Sequence, residues 1–106
     1  MAAHPRSVML RFSFRFATPE PKAYAEFQKF MKRLRAKQKS TDFSYICVVE
    51  YGTKGTKRLH LHALICCPKD VTIRSIRTHW KAGQTHGKLA DNGSARYITK
   101  YLFKDQ

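Results

Sequence analysis

Two histidines separated by a single leucine, His60-Leu61-His62, lie in the apolar run 59–66, and Tyr97-Ile98-Thr99-Lys100-Tyr101 follows about one helix-length later. Residues two apart on a strand point to the same face roughly 7 Å apart, so both imidazoles can converge on one metal ion while Leu61 packs behind them. On a helix, Tyr97 and Tyr101 at i and i+4 share a face, with Lys100 between them. A metal beside two phenols and an ammonium suits phosphoryl transfer through a covalent phosphotyrosine. The metal would polarise the phosphate, a tyrosine would attack it, and Lys100 would neutralise charge and lower the phenol pKa.

A bare H-x-H triplet is a weak signal, since core or surface histidines are commoner than ligands. Its neighbourhood strengthens it. The glycine-rich basic segment Gly52-Thr53-Lys54-Gly55-Thr56-Lys57-Arg58 reads as a hairpin loop. If that hairpin is symmetric about Gly55, Glu50 lies opposite His60, and Glu50, His60 and His62 share one face. Histidine with carboxylate suits Mn²⁺ or Mg²⁺, whereas structural zinc prefers four ligands rich in cysteine.

These residues need strands and helices to hold them. Residues 7–17 alternate, with Val8, Leu10, Phe12, Phe14 and Phe16 on one side and Ser7, Met9, Arg11, Ser13 and Arg15 on the other, which predicts a strand with one core face and one basic face. Thr18-Pro19-Glu20-Pro21 ends it and opens a helix over 22–38, packing Tyr24, Phe27, Met31 and Leu34 with Lys29, Lys32, Arg33 and Lys37 opposite. Strands follow over 43–51 and through the histidine segment to Pro68. A short helix over 71–81 packs Ile73, Ile76 and Trp80, and a brief strand or loop covers 84–89. Asp91-Asn92-Gly93-Ser94 offers capping chemistry for a last helix over 95–104. Its residues Tyr97, Lys100, Tyr101 and Lys104 fall on a face distinct from the apolar Ala95, Ile98 and Leu102. The order predicts an α+β fold, a mostly antiparallel sheet flanked by helices in an RNA-recognition-like sandwich, as one domain over 1–106.

With 21 Lys+Arg against 7 Asp+Glu, the formal charge is +14, which points to a nucleic-acid partner. Arg11, Arg15, Lys54, Lys57, Arg58 and Lys104 are the expected phosphate contacts, and Trp80, Phe43 and Tyr45 the expected stacking surfaces. His79 and His86 have no ligand-like spacing and read as solvated or DNA-contacting. Cys47, Cys66 and Cys67 form no C-x-x-C pair and read as buried thiols of a cytoplasmic protein. No apolar run approaches the roughly 20 residues that span a membrane, and no signal-peptide pattern opens the chain.

Strand 9–16, Glu50-Tyr51-Gly52, His60-Leu61-His62-Ala63-Leu64-Ile65, His79-Trp80-Lys81-Ala82-Gly83 and Arg96-Tyr97-Ile98-Thr99-Lys100-Tyr101 together resemble the HUH endonucleases. The resemblance is to the two-tyrosine rolling-circle replication initiators of small single-stranded DNA phages and plasmids. In relaxases the tyrosines precede the histidine pair; here they follow it, as in initiators and small HUH transposases. The resemblance implies site-specific nicking and joining of single-stranded origin DNA through a 5′-phosphotyrosine. It assigns His60, His62 and Glu50 to a divalent metal, Tyr97 and Tyr101 as nucleophiles, and Lys100 as the motif lysine. It further implies host helicase and replication proteins as partners, in the host cytoplasm if the gene is carried by a phage. A non-catalytic single-strand binder and a small transposase are the alternatives. Metal-dependent cleavage excludes the first, and the nature of the cognate DNA, origin or transposon end, separates the second.

Overall fold

The computed structural model describes residues 6–39, 43–52, 58–68 and 71–90. Its elements are β1 (Arg6–Phe12), α1 (Glu20–Gln38), β2 (Ser44–Tyr51), β3 (Leu59–Cys67), α2 (Ile73–Arg77) and β4 (Thr85–Leu89). The sheet order is β2-β3-β1-β4 with every pairing antiparallel. β1 and β2 therefore run parallel with β3 between them, and β3 and β4 run parallel with β1 between them. Two split βαβ units interlock, the ferredoxin-like arrangement. Sequence-distant β1 and β3 thus become the central strands.

The alternation of β1 sorts its residues as expected near its middle. Val8, Leu10 and Phe12 are fully buried with Leu61, Ala63 and Ile65 of β3 against Ala23, Phe27, Phe30, Met31 and Leu34 of α1 and Ile76 of α2. Both helices cover this one face. Its densest part is aromatic: the Phe12 ring lies 4.5 Å from Trp80, 5.0 Å from Phe30 and 5.7 Å from Phe27, edge-on or tilted. Arg33 donates to the His79 carbonyl at 3.0 Å and Gln38 to Ser75 Oγ at 3.3 Å, tying α1 to α2 and the turn after it.

Three expectations shift. β1 stops at Phe12, although Ser13 N–H still donates to Gln84 and Arg15 N–H to Ala82. The chain bends at residues 15–16, so Phe16 leaves the core face and is 73% exposed. α1 starts at Glu20, with Pro21 in the first turn where its missing N–H costs nothing. Its buried stripe centres on Phe30, which puts Tyr24 at the margin and 37% exposed. α2 spans five residues rather than eleven, because the bonds after it tighten: His79 N–H returns to Ile76 and Trp80 N–H to Arg77. The expected helix over 95–104 lies outside the described residues.

Candidate metal and nucleic-acid site

Register decides which side chains meet. Glu50 pairs directly with His60, Val48 with His62, and His62 with Arg11, which in turn pairs with His86 on β4. Because directly opposed residues share a face, Glu50, His60, His62, Arg11, His86 and Lys88 all project from the side of the sheet opposite the helices. The pairing of Glu50 with His60 is the one the sequence predicts. Leu61, between the histidines, is fully buried behind them.

His62 is 5% exposed, and its Nε2 lies 3.0 Å from Glu50 Oε1, the ring N–H donating to the carboxylate. That separation is an ordinary hydrogen-bond length, and an ion held here would take the place of the proton between the two atoms. His60 is turned differently. Its Nε2 lies 3.3 Å from an Arg11 guanidinium nitrogen, and its Nδ1 is buried with no hydrogen-bond partner among the described residues. Among those residues no three His, Cys, Asp or Glu side chains are gathered into a metal-holding group. The donor types suit a divalent ion, with Glu50 and His62 hydrogen-bonded to each other and His60 engaged by Arg11. His60 would join them by exchanging the guanidinium for the ion. Burial first, then the positive charge of Arg11, holds the His60 pKa below its ordinary 6.5 and keeps the ring neutral, the form that ligates metals.

Arg15 and Arg58 are exposed beside His60, with Arg58 donating to the Arg15 carbonyl at 3.1 Å. Trp80 is corrected from a DNA-stacking residue to a core residue. It is 5% exposed, its ring packs among Phe12, Phe14 and Phe30, and its Nε1–H donates to the Ser13 carbonyl at 3.1 Å. Phe43, 7% exposed, belongs to the same core. Tyr45 packs on Phe27 and accepts from Gln28 at 2.8 Å, also on the helix side. Lys54, Lys57, Tyr97, Lys100, Tyr101 and Lys104 lie outside the described residues.

The three described tyrosines are poor partners for the histidine face. Tyr45 and Tyr51 point to the helix side, and Tyr24 belongs to α1. Tyr51 donates to Glu20 at 2.9 Å, which raises its pKa, and burial raises that of Tyr24. His86 and Lys88 are the residues on the histidine face whose role the sequence leaves open or misses. Their alternation along 84–89 carries the signal, but only pairing with β1 tells which parity faces the histidines.

The family of replication-associated proteins described by the name ORF2 matches this chain over residues 10–106. A solved structure, the hypothetical protein ORF119 from Sulfolobus islandicus rod-shaped virus 1, superposes with a TM-score of 0.57 at 13% identity, covering 97% of this chain and 83% of that one. At that identity the likeness concerns the fold alone. A search of curated sequences gave no match.

Proposed function

The chain belongs to the ORF2 family of replication-associated proteins, and from that premise we propose that it nicks and rejoins single-stranded origin DNA to initiate rolling-circle replication. The observation that carries this reading is Glu50 within 3.0 Å of a buried histidine, with a second histidine on the same sheet face. The group lies on the side of the sheet away from α1 and α2. A divalent ion held by Glu50, His60 and His62 would polarise the scissile phosphate.

The remaining work falls to side chains. Arg11, opposite His62 in the register and hydrogen-bonded to His60, would meet the phosphate oxygens, and Lys88 on the edge strand adds a second cation to that face, with His86 between them. Tyr97 is the proposed first nucleophile. Its oxygen bonds to phosphorus as the bond to the 3′ oxygen breaks, the phenolic proton leaves, and the 3′ oxygen takes up a proton to become a primer hydroxyl. The 5′-phosphate stays on the tyrosine. Tyr101 makes the following cut or rejoins the strand, and Lys100 lowers the phenol pKa.

Incubation with a pool of single-stranded oligonucleotides and Mn²⁺, followed by sequencing of the DNA that becomes attached and mapping of the modified peptide, tests the proposal. The adduct is expected at Tyr97, strongly reduced in Tyr97→Phe, less so in Tyr101→Phe, and absent from the double variant. Attachment at Tyr24, Tyr45 or Tyr51, or through a 3′-phosphate, overturns it. The engagement of His60 by Arg11 favours a second reading, a non-catalytic single-strand binder. That reading stands if DNA binds and no covalent product forms with any divalent ion.

A further inference from the structure

Beside His60 the sheet end opens into a cleft of about 460 Å³ lined by Ser13, Phe14, Arg15, Arg58, Leu59, His60, Gly83 and Gln84. Ligand sites run from about 300 to 1,000 Å³. Two arginines line this one and none of its lining residues is acidic, so it suits an anion. Its floor is built rather than incidental. Ser13 N–H donates to Gln84 and Arg15 N–H to Ala82, at 2.9 and 2.8 Å, and the Trp80 indole holds the Ser13 carbonyl from below. Gly83 permits this approach, since a Cβ there would strike the Ser13 carbonyl oxygen and lie 2.9 Å from the Arg15 nitrogen. The Arg58 guanidinium is anchored at one nitrogen by the Arg15 carbonyl, and its five N–H donors exceed what that one bond uses.

One residue beyond Arg15, Phe16 is the most exposed of the large apolar side chains in the described residues, at 73%. Thr18 Oγ1 donates to the Phe16 carbonyl at 2.8 Å and fixes the turn that presents it. An exposed ring one residue along the chain from an arginine of the cleft supplies the two kinds of group by which single strands are held, a π-face for bases and cations for phosphates.

We propose that this cleft is a subsite for one nucleotide of single-stranded DNA next to the reacting phosphate. Arg15 and Arg58 hold its phosphate, Phe16 stacks its base, and Ser13 and Gln84 meet the base edge. The position next to the reacting phosphate rests on the proposed nicking function, through His60, which lines both the cleft and the histidine face. Occupancy of the cleft does not, because it needs neither metal nor tyrosine.

The test measures binding in chelator, where no cleavage intervenes. The wild type, Phe16→Ala and Arg58→Ala are titrated with a short oligothymidylate and with a base-free sugar-phosphate strand of equal length, across a range of salt. Phe16→Ala is expected to weaken oligothymidylate binding by about 5- to 150-fold, the range for one base stacked on an aromatic ring, and to leave the base-free strand unaffected. Arg58→Ala is expected to weaken both strands and to lower the salt slope by about 0.7, the share of one phosphate on a single strand. Phe16→Trp, which keeps a π-face, is expected to retain binding. The two alanine changes combined are expected to depart from additivity, because they hold one nucleotide. Unchanged oligothymidylate affinity in either alanine variant overturns the subsite. If these losses appear but the wild type never forms a covalent adduct with Mn²⁺, the subsite stands and the nicking reading fails. If adducts form and the losses do not appear, the outcome is reversed.

Discussion

At the scale of single residues, different neighbours separate the roles of His60 and His62. His62 is buried against Glu50, so replacing either one takes away a donor of the proposed ligand set. His62→Ala and Glu50→Gln are each expected to lower covalent adduct formation by about 100-fold or more, the scale of losing one strong electrostatic contact to a transition state. Titration with Mn²⁺ followed by its paramagnetic signal is expected to show weakened binding in both, while charge-driven DNA affinity persists. Wild-type metal binding in both variants would remove Glu50 and His62 from the proposed ligand set.

His60 and His79 add a pH dependence. Both pKa values lie below the ordinary 6.5. Burial is the main cause for each, followed by Arg11 for His60 and by Lys81, Lys37 and Arg33 for His79. The unfolded chain then binds more protons than the folded one as pH falls below about 6.5, so stability drops on acidification and is fully present above that value. The thermal midpoint is expected to fall from pH 7 to pH 5, and to fall less in His79→Gln. A midpoint that rises over that interval would contradict these shifts. Cys47 gives a matching contrast, since burial pushes its thiol pKa up to about 12. It is expected to resist alkylation at neutral pH until the protein unfolds.

Among the elements, the segment joining α2 to β4 bears most on the site, because it pins the end of β1 beside His60. Its constraint is backbone against backbone. A methyl group at Gly83 would press on the Ser13 carbonyl and the Arg15 nitrogen, neither of which can rotate away as a side chain could. Gly83→Ala is expected to cost about 1–3 kcal/mol, the usual range for overpacking, and urea unfolding measures it. A cost near zero would mean that the 82–84 segment is not held against β1. The hairpin of β2 and β3 matters in a different way. Slipping β2 by one residue against β3 would turn Glu50 into the core and away from the histidines, so the apolar partners Leu61, Ala63 and Ile65 secure the site from behind.

For the whole molecule, charge and topology act together. A net charge of +14 draws any polyanion, and the fold leaves Arg11, His86 and Lys88 in register on the histidine face while the helices cover the other. Affinity for single-stranded DNA is expected to fall steeply with salt, each phosphate contact contributing about 0.7 to the slope of log affinity against log salt. A fluorescence titration between low and physiological salt reads it, and an affinity that hardly changes would show that phosphates are not the main contacts. No helix among the described residues is long and apolar enough to cross a membrane. Over the described residues the sequence alone determined the strand and helix order, the shared face of His60 and His62, and the placement of Glu50 opposite His60, since these follow from two-residue and hairpin periodicities that are local to the chain. Tertiary structure alone decided that Arg11 engages His60, that His86 joins the row, that Trp80 is core and Phe16 is surface, and that a cleft opens at Arg15 and Arg58. Each of those depends on pairing β1 with strands some fifty and seventy-five residues away or on a bend where the ladder ends, and neither long-range register nor the end of a ladder is written in local alternation.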